Sequence, residues 1–139
     1  MYVPQPGCAL VDRGQAAFGP GFAASTLRDE LERSYWPDLM AAAHDLQYPS
    51  DAAHLTSRLR RQARTLSIEP SPVEALPDTR HAYIVCTDDY AVPPDWQRWV
   101  AREELGVEPI ELDSGHSPML TRTSELPEIL HRLATPDAR

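Results

Sequence analysis

The sequence predicts an α/β protein with parallel strands, and three observations in its last third support this. Segments 82–86 and 107–112 are short apolar runs flanked by polar residues, as in strands buried on both faces. Segments that begin at Pro94 and Ser124 place apolar residues at helical spacing, so the order is strand, helix, strand, helix. This alternation favours parallel pairing through right-handed crossovers. Since two strands are few for such a sheet, we expect it to be incomplete in this chain.

Composition and charge limit the classes of function. The chain has 139 residues, a net charge of -8 and a hydrophobic content of 42%, which suits one globular domain. A surface that binds nucleic acid or an anionic membrane needs clustered positive charge, so we expect neither partner. No run approaches the roughly 18 apolar residues of a membrane span, and no basic and apolar leader begins the chain. We therefore expect a cytoplasmic protein.

The first 80 residues predict a loop followed by helices. Residues 1–22 are rich in Gly and Pro, which predicts a connecting segment. Ser25 or Thr26 is placed to cap a helix, because Leu27 and Leu31 follow at the spacing of one helical face.

Pro37 is expected to interrupt this first helix, and helical spacing resumes over 39–46. A second helix is expected from about 51 to 63, where the basic run 58–61 would form a solvated C-terminal end. Residues 64–80 contain three prolines and predict an irregular crossing.

Turn and cap residues define the helices of the last third. Pro94 opens a helix that would bury Trp96 and Trp99, and Gly106 would end it as a C-cap. The final helix begins near Ser124 and presents one apolar face, formed by Leu126, Ile129, Leu130 and Leu133. Cys86, at the end of the first strand, is expected to be a buried small hydrophobe. Neither cysteine has metal-ligand spacing, so no metal site is predicted.

Polar side chains follow both predicted strands. Asp88 and Asp89 come after the first strand, and the second runs into a loop that contains His116. Because parallel strands end at the same edge of a sheet, we expect a carboxylate and an imidazole to meet there. A carboxylate beside a histidine is the orienting half of a catalytic triad, since it holds the tautomer that accepts a proton from a nucleophile. The chain order, acid and then base, is that of α/β-hydrolases.

Three segments around these loops carry a resemblance to a known family: YIVCTDD over 83–89, PPDWQRW over 93–99 and LDSGHSPML over 112–120. They resemble the plant methylesterase and hydroxynitrile-lyase family together with its bacterial relatives, within the α/β-hydrolases. The resemblance implies that Asp89 is the catalytic acid and His116 the base. It also implies an incomplete α/β-hydrolase fold in which 1–80 form a loop and helical cap segment and 81–139 the C-terminal part of the core.

One departure from the family concerns the nucleophile. The family carries it in a Gly-x-Ser-x-Gly elbow, and no serine of this chain has that context. The resemblance thus implies an esterase-like hydrolase of small esters or carbonyl compounds, truncated or split, with no cofactor. The alternative is a non-catalytic module of the same fold that oligomerises or binds a partner. Both alternatives predict a homo-oligomer or a complex with a complementing hydrolase half, because an open strand edge favours aggregation.

Individual residues also have structural explanations. Asp89 could cap the turn after its strand, and a histidine before Ser-Pro is often structural; the flanking segments favour the catalytic assignment for Asp89 and for His116. Asp88 is expected to face solvent, and Trp36 to lie near a substrate pocket. The remaining histidines are expected to be surface or packing residues, namely His44, His54, His81 and His131.

Overall fold

A computed structural model describes residues 5–13, 17–19, 26–37, 42, 46–47 and 57–135 of the chain. Its elements, in chain order, are a 3-10 helix at Leu10–Arg13, strands β1 (Leu27–Arg28) and β2 (Ser34–Tyr35), helix α1 (Thr65–Ile68), strand β3 (Ile84–Cys86), helix α2 (Pro94–Trp99) continued by a π-helical turn at Val100–Glu104, strand β4 (Ile110–Leu112), and helices α3 (Pro118–Thr121) and α4 (Glu125–Ala134).

Strands β3 and β4 form the parallel pair that the sequence predicts. Ile84 lies opposite Ile110, and Cys86 lies opposite Leu112. The pairing continues beyond the strands, because the Asp88 amide donates to the Ser114 carbonyl at 3.0 Å. The loops after the two strands therefore leave the sheet side by side, which is the arrangement that a shared site requires.

The hydrophobic core lies between this sheet and helix α2. Its buried members come from both elements and their flanks, namely Tyr83, Val85, Val100 and Ala101. Partly buried apolar residues close around them, among them Leu76, Trp96, Leu105 and Val107. Helix α2 is thereby fixed against β3, and the loop between them, which holds Asp89, is held at both ends.

The predicted boundaries of helix α2 are confirmed, and one prediction for its faces is wrong. Pro94 stands in its first turn, and Gly106 ends it with a φ of +63°, a conformation that favours glycine. Trp96 packs on the core as predicted, whereas Trp99 is 45% exposed. Trp99 stacks on Trp96 with ring centroids 5.0 Å apart, and the Arg13 guanidinium lies over both rings. An aromatic neighbour and a cation thus replace core burial for Trp99.

The helix predicted after Ser25 or Thr26 is wrong within the described residues, because β1 and β2 form an antiparallel hairpin there. The Asp29 carboxylate sets the turn by accepting the amides of Leu31 at 3.0 Å and Arg33 at 2.9 Å. Glu32 takes a φ of +57°, which a helix does not allow. The residues whose spacing suggested a helical face therefore belong to two short strands, and the Asp29 carboxylate stabilises the turn that joins them.

The second predicted helix, about 51 to 63, is also wrong where the structure describes it. Ser34 and Gln62 exchange backbone hydrogen bonds of 2.8 and 2.9 Å, so the chain at 62 pairs with β2 as an extended segment. The run 58–61 therefore does not form the end of a helix. Instead, the Arg61 guanidinium binds the Asp29 carboxylate at 2.7 Å and lies over the Tyr35 ring. Residues 51–56 lie outside the described residues.

Other elements of the first 80 residues are confirmed in part. Ala42 is helical and its carbonyl accepts the Leu46 amide at 3.0 Å, as expected for the helical segment 39–46. The other residues of that segment lie outside the described residues. The crossing 64–80 is irregular except for α1, and a 3-10 turn interrupts the loop of 1–22. Helix α3 after His116 was not predicted. Across the described ranges, every helix is too short or too polar to span a lipid bilayer.

Candidate active site

Asp89 is a buried carboxylate at the end of β3. Its side chain is only 3% exposed. One carboxylate oxygen, Oδ1, accepts the backbone amides of Ala91 at 2.8 Å and Val92 at 2.9 Å, and the other, Oδ2, accepts the Gln97 side-chain amide at 3.0 Å. The turn after the strand thus folds around the carboxylate. Asp89 does cap this turn, and the same geometry aims its carboxylate at the neighbouring loop.

The environment keeps Asp89 ionised. Burial by itself would raise the pKa of this carboxyl, but hydrogen bonds from the His116 ring and from the Val92 and Ala91 amides outweigh burial and lower the pKa. Asp89 therefore carries a negative charge at neutral pH and can only accept hydrogen bonds.

His116 lies directly against this carboxylate. Its ring Nδ1 is 3.0 Å from Oδ2 and 3.1 Å from Oδ1 of Asp89. Because the carboxylate accepts, Nδ1 carries the proton, and in the neutral ring Nε2 holds a free electron pair. Among the residues that the structure describes, none forms a hydrogen bond with Nε2, and the side chain is 32% exposed. The Asp89 carboxylate thus fixes the ring tautomer and leaves Nε2 available to accept a proton.

Gln97 of helix α2 connects the strand to the acid, and sequence reasoning missed it. The residue is 2% exposed. Its carboxamide oxygen accepts the Cys86 amide at 3.1 Å, while its nitrogen donates to Asp89 and, at 2.8 Å, to the Val92 carbonyl. The sequence signal that could have revealed this role is a glutamine among the apolar positions of a core helix, since a buried polar group requires hydrogen-bond partners.

A second missed residue, Gln47, joins the acid and base loops. Its side-chain nitrogen donates to the Asp88 carbonyl at 2.6 Å. Its side-chain oxygen accepts the Tyr90 amide at 3.1 Å and the His116 amide at 2.9 Å. Both loops are therefore bonded to one carboxamide that comes from the N-terminal segment of the chain.

Two glycines allow this close packing. A Cβ on Gly115 would lie 2.5–2.6 Å from the Gln47 carboxamide, closer than real contacts allow. The Gly19 amide donates to the Ala91 carbonyl at 2.9 Å, and a Cβ there would collide with the Tyr90 carbonyl. Glycine is therefore required at position 19, where the obstacle is backbone, whereas a side chain at position 115 would have to displace the Gln47 carboxamide.

The other predicted residues lie apart from the pair or outside the described part. Asp88 is exposed, as expected, and takes part through its backbone. Trp36 lines a cavity of about 330 Å³, bounded also by Tyr35, Pro37, Leu59, Arg60 and Arg61, and the relation of this cavity to a substrate stays a prediction. His81 and His131 are partly or fully exposed, as predicted; His44 and His54 lie outside the described residues.

Cys86 is buried as predicted, and its burial raises the pKa of the thiol. Within the described ranges, no three His, Cys, Asp or Glu residues are grouped so that they could hold a metal ion.

Parallel strands β3 and β4, with the Asp89–His116 contact at their shared edge, are the arrangement that the sequence resemblance led us to expect. The chain matches the model of the alpha/beta hydrolase family over residues 3–127. The chain belongs to that family, and the predicted incomplete α/β-hydrolase fold is confirmed. No protein with a curated description matches it.

Solved structures of pyrethroid hydrolases share the fold. The enzyme PytH, crystallised with BIF, is 20% identical with a TM-score of 0.73, and the match covers 98% of this chain and 59% of that chain. The pyrethroid hydrolase from Sphingobium faniae JZ-2 is 21% identical with a TM-score of 0.72, covering 98% of this chain and 58% of that chain. These 139 residues thus span less than two thirds of the length of either enzyme.

Proposed function

We propose that this chain supplies the acid and base of an esterase-like serine hydrolase that acts on small esters or related carbonyl compounds. The observation that carries the proposal is the contact between the buried, ionised Asp89 and His116 Nδ1, which leaves Nε2 without a hydrogen-bond partner among the described residues. This is the arrangement that general-base catalysis needs.

The reaction follows from this geometry. His116 Nε2 takes the proton of a serine hydroxyl as the serine oxygen bonds to the ester carbonyl carbon. The ring then gives that proton to the leaving alcohol as the carbon–oxygen bond breaks, and an acyl-enzyme remains. Water attacks the acyl-enzyme by the same two proton transfers and releases the acid. Asp89 stays ionised throughout and stabilises the imidazolium.

The serine and the oxyanion donors are proposed to lie outside these 139 residues, because no serine here has the Gly-x-Ser-x-Gly context. The esterase class is supported by the resemblance of 83–89, 93–99 and 112–120 to plant methylesterases and hydroxynitrile lyases. The solved structures that share the fold are pyrethroid hydrolases, and a carbonyl substrate for this chain agrees with that.

The test is an assay of the complete protein, as expressed from its gene, on a chromogenic short-chain ester. We expect hydrolysis, and we expect His116→Ala to lower kcat by about a thousandfold or more because the general base is lost. His81→Ala is the matched control, since that ring contacts only the Pro77 carbonyl at 3.2 Å among the contacts described. Activity that survives His116→Ala would refute the proposal.

The origin of the nucleophile needs a separate measurement. A fluorophosphonate probe reacts with an activated serine, and mass spectrometry of the labelled protein locates the modified residue. We expect the label on a peptide outside positions 1–139. A label on a serine of this chain would refute an external nucleophile while leaving the acid–base pair in place.

A second candidate is a non-catalytic module that self-associates or binds a complementing hydrolase half. The observation in its favour is that β3 pairs only with β4 among the described elements, so its other edge has no strand partner there. Light scattering after gel filtration of the complete protein tests the self-associating form of this candidate, which requires a mass above that of one complete chain. A single species at the mass of one complete chain, without ester hydrolysis, would exclude both the hydrolase and the self-associating module.

A further inference from the structure

We infer that Gln47 is a positioning residue that holds the acid and base loops in register and makes the Asp89–His116 contact depend on the N-terminal segment. The inference rests on the proposed function for its catalytic consequence. Its geometric content stands on its own, because it concerns contacts within the described residues.

The first support is the bonding of the Gln47 carboxamide. It donates to the Asp88 carbonyl and accepts the amides of Tyr90 and His116, at distances of 2.6, 3.1 and 2.9 Å. These groups flank the acid on both sides and carry the base. One planar group therefore sets the spacing of the two loops, and a change in its position moves both.

The second support is the backbone of Gln47, which has a φ of +50°. Residues other than glycine rarely adopt this left-handed conformation, and it persists only where surrounding contacts hold it. Here the neighbouring Leu46 carbonyl accepts the Ser117 hydroxyl at 3.1 Å. The turn at 46–47 is thus bonded to two successive residues of the base loop, His116 and Ser117, which helps to hold its strained backbone in place.

The third support is Gly115, the residue before the base. A Cβ at this position would lie within 2.5–2.6 Å of the Gln47 carboxamide. The base loop therefore leaves space for this side chain at the point where it turns toward Asp89.

The consequence for catalysis is a dependence on segments distant in the chain. If the turn at 46–47 moves away, the backbone amide of His116 loses its acceptor. The His116 ring is then no longer held with its Nδ1 against the Asp89 carboxylate. Small displacements of a general base reduce the rate steeply, whereas substrate binding by other groups is unaffected. Gln47 should therefore influence kcat more than KM.

The test compares Gln47→Leu with Gln62→Leu in the complete protein. Gln62 is the matched control because its side chain is exposed and only its backbone pairs with Ser34. Imidazole nitrogen NMR, with the His116 signal assigned by its absence in His116→Ala, reports the Nδ1–H tautomer and its proton exchange. We expect Gln47→Leu to speed exchange of the Nδ1 proton at least tenfold and to lower kcat about ten- to a hundredfold with KM within twofold. We expect no change in Gln62→Leu.

Two further variants keep the inference falsifiable if Gln47→Leu does not fold. Gln47→Glu replaces the donor by a carboxylate oxygen that faces the Asp88 carbonyl, so the two acceptors repel and faster exchange of the His116 Nδ1 proton is expected. Gly115→Ala leaves Gln47 intact and pushes on its carboxamide, so faster exchange of the His116 proton is expected there too. Wild-type exchange in all folded variants would overturn the inference. A wild-type protein without ester hydrolysis, in which these variants still alter the His116 signal, would refute the proposed function and support the positioning role.

Discussion

Gln97→Leu offers a direct test of how the acid loop is held. The substitution keeps the volume of a side chain that is 2% exposed and removes its three hydrogen bonds. The Cys86 amide would lose its acceptor, at a cost of about 1 kcal/mol, and the bond to the charged Asp89 is worth about 1.5–3 kcal/mol. The carbonyl of the partly exposed Val92 can accept a hydrogen bond from water instead. We therefore expect the free energy of unfolding to fall by about 3 kcal/mol.

Urea denaturation, followed by tryptophan fluorescence and circular dichroism, measures this loss. Gln62→Leu, on an exposed side chain, should stay within about 0.5 kcal/mol of wild type. Amide exchange supplies a local readout, since the Cys86 amide should exchange faster in Gln97→Leu. A loss below about 1 kcal/mol, with the Cys86 amide still protected, would show that the buried carboxamide does not hold the loop.

Two other variants test the acid itself and the C-terminal end of the helix that follows it. The pKa of Asp89 is lowered in the folded protein, so its stabilising contribution is complete above the unfolded value, about 4, and is lost as pH falls from there through the folded pKa. Asp89→Asn should therefore flatten the acid limb of the unfolding free energy in a pH series, and an unchanged slope would contradict the linkage. Gly106→Ala places a Cβ in open space at a φ of +63° and should cost about 1 kcal/mol through the backbone alone, measured by urea denaturation. An equally stable variant would show that the left-handed cap can relax.

The predictions that hold are those that depend on neighbouring residues in the chain. An apolar run ending in Thr-Asp-Asp, and a proline-opened helix closed by Gly106, define β3 and α2 with little help from distant contacts. Parallel pairing then brings the loops of Asp89 and His116 to one edge, because strand direction determines where each loop emerges. A contact between a carboxylate and an imidazole could thus be anticipated without coordinates, and the family resemblance chose Asp89 rather than Asp88 for it.

The predictions that fail depend on partners far along the chain. The spacing of Leu27, Leu31 and Tyr35 fits a helix, yet the chain forms a hairpin because Arg61 binds Asp29 and the backbone at Gln62 pairs with Ser34. Helical spacing in a short segment is a weak preference that such tertiary contacts override.

The sequence by itself determined the α/β class and the two parallel strands, since these follow from local patterns and strand direction, and its resemblance to methylesterases and hydroxynitrile lyases singled out the pair of Asp89 and His116. Only the tertiary structure decided how that pair is held. Gln47 lies 69 positions from His116, and its left-handed backbone has no sequence pattern of its own. Hydrogen bonds between residues so far apart are set by how the loops pack, and packing is a property of the whole fold rather than of any segment.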